Sequence, residues 1–309
     1  MTTGDTRLFF GFTGTTGLNG SQTITVIDGT HLDVTAVNFV ATGTGSINGF
    51  WDAANTNNWV SSSGGTDYGQ TVPGSADFVT FDGSSGGGTV TLNFGGTITI
   101  QSISMGAFTG TWDNSVNNNN ITCSNTSQTF NISGSGTRTI KLGSATYTIT
   151  SNGVWNAGTT SNLTFLGSSS TIVFSGGSSA KTFTGGGLTY GTVSVSAGSG
   201  GGLIISGANT FGTISVSPPN YIAFPTSGTS TITSMNCAGT SSSQILIQAS
   251  SVGSAASIAV SGSIGTYCAL VGISCTGSPS ASNSFNCGGN SGITITAPAS
   301  GGVIGVIGS

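Results

Sequence analysis

The chain has 309 residues and a formal net charge of −4, and only 4% of its residues are charged, against roughly 25% in a typical soluble protein. Four Lys and Arg residues cannot supply the basic patch that neutralises nucleic-acid phosphates, so the composition excludes nucleic-acid binding. The 53 glycines lack the period of three that collagen requires. Short β-branched runs between Gly, Ser and Asn instead predict an all-β protein with many turns.

Residues 1–46 are predicted to form a small separate β element, which serves for attachment or as a cap. An alternating run at 23–27 is followed by Asp28 and Gly29 and then by a second run at 31–40, the pattern of a β-hairpin. The start of the chain lacks a basic segment followed by a long apolar stretch, so no signal peptide is expected. No apolar run approaches the ~20 residues of a membrane span.

Residues 47–83 contain the densest aromatic cluster and are interpreted as a capping module. Its large apolar side chains are predicted to form one compact plug: Trp51, Trp59, Phe78 and Phe81. Four acidic residues lie among them: Asp52, Asp67, Asp77 and Asp82. Roles in turns and caps are favoured for these Asp residues. A Ca²⁺ site and the carboxylate pair of a glycosidase are the weaker alternatives, and no other metal and no cofactor is expected.

An internal repeat determines the predicted fold of residues 84–296. Similar segments at 189–196, 210–217 and 231–238 follow one another with a constant period of about 21 residues, which is typical of one coil of a β-solenoid. The matched apolar columns are Tyr190/Phe211/Ile232, Val193/Ile214/Met235 and Val195/Val216/Cys237. We therefore predict a right-handed parallel β-helix, or β-solenoid, with coils of about 21 residues stacked at ~4.8 Å.

The predicted stack accounts for the scarcity of charge, because like charges in one column would lie ~5 Å apart and repel. A looser copy of the repeat is assigned to residues 270–275. The uncharged, apolar tail at 297–309 is expected to cap the stack or to pack on a partner subunit.

The five cysteines match no metal-binding spacing, since no C-x-x-C occurs and His31 is the only histidine. They are predicted to be buried small hydrophobic residues, with disulfides as the alternative. The five are Cys123, Cys237, Cys268, Cys275 and Cys287.

Thr-x-Thr pairs recur along the chain. An aligned Thr-x-Thr face would be a candidate ice-binding surface, but these pairs do not follow the period of the repeat. The sequence therefore predicts no continuous array, and the β propensity of threonine explains the pairs. They begin at Thr23, Thr89, Thr97, Thr146 and Thr294.

The stretches at 170–177, 181–190, 205–211, 245–248 and 286–292 resemble a repeat found in structural and tail-fibre-like or decoration proteins of bacteriophages. The segment from Trp51 to Phe81 resembles an opening module of those proteins and of autotransporter-type adhesins. The resemblance implies a β-solenoid structural protein and brings no catalytic residue with it.

The main functional hypothesis is a non-enzymatic bacteriophage virion protein, assembled in the host cytoplasm as a fibre, spike or head-decoration subunit. Its expected partners are other virion proteins, further copies of itself in a homotrimer or another symmetric oligomer, and a host-surface glycan. The alternative is a bacterial surface adhesin or a self-assembling extracellular filament subunit. A polysaccharide-degrading β-helix enzyme and an ice-binding protein are the weaker alternatives.

Overall fold

A computed structural model gives the fold. It describes residues 59–62, 70–85, 87–126, 129–196 and 201–299, the strands of the first 52 residues as backbone, and the side chain of Trp51. The described residues contain no α-helix and a single 3-10 turn at Gly83–Ser85. The all-β prediction is confirmed.

The N-terminal strands form a four-stranded antiparallel sheet of order β3-β2-β1-β4. Within it, β2 and β3 pair through Val26 and Leu32, which confirms the predicted hairpin. The strands are β1 (Thr6–Phe10), β2 (Gly20–Val26), β3 (Leu32–Val34) and β4 (Ser46–Ile47).

All further strands pair in parallel and stack into a three-sided β-solenoid. What we call the third face is one sheet of ten strands, one from each coil. Its strands are β6 (Phe78–Thr80), β9 (Ser102–Ser104), β12 (Phe130–Asn131), β15 (Val154–Asn156), β17 (Lys181–Thr184), β19 (Leu203–Ser206), β21 (Tyr221–Phe224), β23 (Ile245–Ala249), β26 (Cys268–Val271) and β29 (Phe285–Asn286).

The other two faces are separate at both ends of the stack and joined in its middle. The first face holds β5 (Gly49–Asp52), β7 (Thr89–Asn93), β10 (Thr111–Asp113), β13 (Arg138–Lys141), β24 (Ala256–Ala259) and β27 (Ile273–Thr276). The second face holds β8 (Ile98–Ile100), β11 (Ile121–Cys123), β14 (Thr146–Ile149), β25 (Ser263–Thr266), β28 (Ser280–Ser282) and β30 (Thr294–Ile295). Four longer strands run across both faces: β16 (Leu163–Phe174), β18 (Thr189–Val195), β20 (Thr210–Val216) and β22 (Thr229–Ala238).

The predicted repeat is confirmed where β18, β20 and β22 stack. The register places every predicted column in line: Tyr190–Phe211–Ile232, Val193–Ile214–Met235 and Val195–Val216–Cys237. These coils keep the predicted period, whereas the average coil of the solenoid is slightly longer, at about 23 residues. The stack begins at β5 and β6, so the segment 47–83 contributes strands to the solenoid.

The assignment of residues 270–275 to the same repeat is wrong. Leu270 pairs with Ile247 on the third face, whereas Cys275 pairs with Ile258 on the first face. The reason is a change of coil shape after β22, whose two halves continue into separate strands, β24 and β25. The interval from Ile258 to Cys275 is also shorter than the predicted period.

One hydrophobic core runs through the described coils, and aromatic rings form its centre. Trp155 stacks on Phe130 with ring centroids 4.5 Å apart and planes within 6°, and Phe183 lies 6.2 Å from Trp155 on its other side. The buried Tyr190 hydroxyl donates a hydrogen bond to the Gly185 carbonyl at 2.8 Å. Such polar contacts let tyrosines occupy the core without an unpaired hydroxyl.

The predicted aromatic plug forms from three of its four residues. The Trp51 and Trp59 rings lie 5.3 Å apart, and Phe81 lies about 6 Å from both. Phe78 does not belong to the plug, because its side chain is 66% exposed. Side chains alternate between the two sides of a strand, and β6 directs Val79 into the core.

Candidate functional surfaces

The acidic residues of the 47–83 segment that the structure describes have local roles. Asp77 accepts a hydrogen bond from the Gly74 amide at 2.8 Å, and Asp82 accepts one from the Ser84 amide at 2.8 Å. Both are the turn contacts predicted for these side chains. The side chains of Asp52 and Asp67 lie outside the described residues, as does any Ca²⁺ site that needs them. Among the described residues, no three His, Cys, Asp or Glu residues group to hold a metal.

Asp113 and Lys141 form an ion pair between neighbouring coils. They face each other across the β10–β13 ladder, and the Lys141 Nζ lies 2.7 Å from the Asp113 Oδ2. Burial alone would raise the pKa of Asp113. The hydrogen bonds from Lys141 and from the Ser115 hydroxyl and amide outweigh burial and hold this pKa below its usual value of 3.8.

Acid is expected to weaken the fold through Asp113. A carboxyl whose pKa is lowered by folding stabilises the protein above its unfolded pKa, and this contribution is lost as pH falls through the folded pKa. We expect a loss of about 1–2 kcal/mol, measured as the difference in unfolding free energy between neutral pH and the acid end of that window. Asp113→Asn should flatten this pH dependence and Lys141→Met should reduce it; an unchanged slope in Asp113→Asn would contradict the assignment.

Arg138 and Lys181 turn into the corners of the solenoid. The Arg138 side chain is 2% exposed, and burial lowers its pKa. Its guanidinium donates four hydrogen bonds to backbone carbonyls, those of Ile132 (2.7 Å), Gly136 (2.8 Å), Thr159 (3.1 Å) and Ser161 (3.2 Å). The Lys181 ammonium donates longer bonds to the Gly177 and Ser179 carbonyls. Both cations therefore bind the backbone at the corners of the solenoid.

Four of the five cysteines are buried, and Cys287 is exposed. The prediction of buried thiols is thus confirmed for four residues and wrong for Cys287, which follows the short strand β29. All five are free thiols. Burial raises the pKa of Cys123 and Cys268 to about 12, which removes the reactive thiolate at neutral pH.

Thiol labelling should separate these two classes. At neutral pH without reductant, a maleimide is expected to modify one thiol per native chain, at Cys287, and five per unfolded chain. Mass spectrometry of the labelled peptides gives both counts. More than one labelled thiol in the native protein would contradict the packing, and fewer than five in the unfolded protein would reveal a disulfide.

A protruding loop at 114–120, between β10 and β11, forms what we call the Asn ridge. It is fixed to the preceding coil, where the Asn117 Nδ2 donates to the Leu92 carbonyl at 2.7 Å. It is fixed to the following coil, where the Ser144 amide donates to the Asn118 Oδ1 at 2.6 Å and the Thr146 amide to the Asn120 Oδ1 at 2.9 Å. The Nδ2 groups of Asn118 and Asn120 have no partner among the described residues and remain as outward donors.

Two open depressions flank the Asn ridge. One, of about 400 Å³, is lined by Asn117–Asn120 and by the corner from Gly95 to Thr97. The other, of about 350 Å³, is lined by Lys141, Ser168 and the 55% exposed Leu166. Asn118 borders both. Together they offer amide and hydroxyl groups, one apolar side chain and the Lys141 ammonium, whose charge is balanced by Asp113.

The outward side chains of the second face and of the long strands form what we call the hydroxyl face. Two columns run along it over seven coils, from β8 to β22. The first column is Thr97, Asn120, Thr146, Thr171, Thr192, Thr213 and Ser234, and the second is Thr99, Thr122, Thr148, Val173, Ser194, Ser215 and Asn236. The Thr-x-Thr pairs themselves form no continuous array, as predicted, because Asn120 lies between Thr97 and Thr146 in the first column and Val173 follows Thr148 in the second. The structure instead shows an array of mixed residues, which the sequence did not indicate. The array is obscured in the sequence because Thr, Ser and Asn are mixed in it and because the coils that precede β16 are longer than the predicted period.

The chain is a parallel β-solenoid protein. No protein-family model, curated protein or solved structure matches it. Within the described ranges, no helix has the length and hydrophobicity of a membrane span.

Proposed function

We propose that the chain is a non-enzymatic structural subunit of a bacteriophage virion, which projects its β-solenoid from the particle as a fibre, spike or head decoration. The observation that carries this proposal is the single core through stacked coils. A rod whose coils share one close-packed interior resists bending and shear, which suits a projection. The subunit acts within a symmetric homo-oligomer such as a homotrimer and is bound to other virion proteins.

Immunogold electron microscopy of purified particles tests the virion role. Antibodies against the purified chain should label a defined position on each particle, and mass spectrometry of the particles should contain its peptides. Recovery of the chain only as a free monomer or in cell-surface fractions, with unlabelled particles, would contradict the proposal.

The proposed contact with a host-surface glycan is assigned to the Asn ridge. Its two depressions present outward amide donors from Asn118 and Asn120 on a loop that is already held in place. Fixed donors lose little entropy when they bind, and amides pair well with sugar hydroxyls. The Asp113–Lys141 pair adds no net charge, so the expected ligand is a neutral oligosaccharide.

Asn→Asp substitutions test this contact with little change of shape. Asn118→Asp and Asn120→Asp keep the oxygen that accepts from the following coil, but they replace the outward NH2 donor by a carboxylate oxygen and add one negative charge, which the control variant also carries. Glycan-array binding of the full chain should fall in both variants. Asn156→Asp is the matched control, because Asn156 lies on β15 and its Oδ1 likewise accepts a backbone amide, that of Gly158. Equal loss of binding in all three variants would contradict the assignment.

A further inference from the structure

The hydroxyl face is a regular two-dimensional lattice. The pairing between β14, β16, β18 and β20 places Thr146, Thr171, Thr192 and Thr213 in one line. Neighbouring coils repeat at ~4.8 Å, and the two columns lie two residues, or about 6.6 Å, apart along each strand. Hydroxyl groups therefore recur at one interval along the first column from Thr146 to Ser234, and a second column of mixed Thr, Val, Ser and Asn side chains runs parallel to it.

The buried residues of the same strands fix the positions of the outward side chains. Each outward residue is adjacent to at least one buried residue, as Thr192 and Ser194 are to Val193. The β-branched threonines have few side-chain rotamers, so their methyl and hydroxyl groups repeat together with the backbone. Within the described part of the chain, the hydroxyls of Thr171, Thr192 and Thr213 make no hydrogen bond, which leaves them to bind water.

The chemistry of this face suits a ligand with the same periodicity. A hydroxyl both donates and accepts a hydrogen bond, as a water molecule does. The two columns contain no charged side chain, and the depression that Thr97 and Asn120 line touches only the first two coils of the hydroxyl face. A neutral and periodic array of hydroxyl and methyl groups matches a water lattice better than it matches a single small molecule, which needs a concave site.

We propose that the hydroxyl face binds ice. The first and second columns hold water oxygens at intervals close to those of the hexagonal ice lattice, and the threonine methyl groups fit between these water molecules. Many weak contacts made together give tight binding, so the seven coils act as one surface about 30 Å long. This activity is independent of the virion role and can be measured on the purified chain.

Ice-affinity partitioning tests the proposal on the full-length protein. A fluorophore at Cys287, on the third-face side, reports the protein without touching the hydroxyl face. The wild type should be incorporated into slowly growing polycrystalline ice, whereas serum albumin should be excluded. Thr171→Lys and Thr192→Lys place a hydrated charge in the column and should abolish incorporation. Thr182→Lys is the matched control, because Thr182 lies on β17 of the third face, and it should be incorporated like the wild type.

Each alternative outcome has a distinct meaning. Exclusion of the wild type from ice would overturn the proposal, as would equal incorporation of all three Lys variants. Binding to microcrystalline cellulose, lost in Thr192→Lys, together with exclusion from ice would overturn it in favour of a crystalline polysaccharide. Circular dichroism confirms that each variant folds. If a Lys variant does not fold, Thr192→Tyr replaces it, since tyrosine favours strands and its ring rises above the lattice.

Discussion

Replacing Phe183 with alanine is expected to lower the free energy of unfolding by about 3–5 kcal/mol. Phe183 is fully buried on the third face, and its ring lies 4.8 Å from the ring of Tyr190 and 5.6 Å from that of Phe211. The substitution leaves a cavity in the centre of the aromatic column, between coils whose backbones are fixed by their ladders. The neighbouring rings cannot move inward to fill it, so most of the lost packing energy is not recovered.

Phe78→Ala is the matched control for this prediction. It removes the same atoms from a strand of the same face, but Phe78 is 66% exposed, and its loss should change stability by less than about 0.5 kcal/mol. Urea denaturation followed by circular dichroism measures both variants. A shift of the midpoint in Phe183→Ala alone is expected. Similar shifts in the two variants would contradict the assignment of Phe78 to the surface and Phe183 to the core.

The sequence is most informative where the coil length is constant. Tyr190, Phe211 and Ile232 are predicted to share a column because the same interval separates each from the next, and the structure pairs them so. A constant period fixes both the number of residues in a coil and the side of the strand on which each residue lies. In that part of the chain, the fold and the inward residues follow directly from the repeat.

The sequence is less informative where the coil length changes. The interval from Cys237 to its partner Gly265 is longer than the predicted period, and the interval from Ile258 to Cys275 is shorter. Insertions and deletions at the corners leave the strand register intact while they shift the sequence spacing. Residues 270–275 look like a copy of the repeat, although their two halves lie on different faces, because similarity of composition does not reveal which corner lies between them.

The hydroxyl face shows the same limit for the candidate sites. Its members are Thr in some coils and Ser, Asn or Val in others, so a search for Thr-x-Thr finds pairs such as Thr146/Thr148 but not the line that joins Thr171 to Thr192. The run of four asparagines at 117–120 indicates by itself only a loop or an Asn ladder. The Nδ2 groups of Asn118 and Asn120 point outward because each Oδ1 accepts a hydrogen bond from a backbone amide of the following coil. The sequence does not show these bonds, because they depend on how the coils stack.

Replacing Gly186 with alanine is the second change with a large expected effect, and the repeat provides its control. Gly186 and Gly207 lie one period apart at equivalent corners, and both have a positive φ, +64° and +74°. A Cβ at Gly186 would collide with the Ala157 carbonyl oxygen of the preceding coil, whereas a Cβ at Gly207 would meet nothing within 4 Å. The two sites therefore share the backbone strain and differ in the contact between coils.

Gly207→Ala should cost about 1–2 kcal/mol, the strain of a left-handed conformation in a residue with a side chain. Gly186→Ala should cost about 3–5 kcal/mol, because the same strain is joined by a collision that only a shift of one coil against the other can relieve. Thermal and urea unfolding of both variants measure the difference. Equal costs would mean that backbone conformation alone requires glycine at these corners; a larger cost at Gly186 would show that the close approach of stacked coils requires it as well.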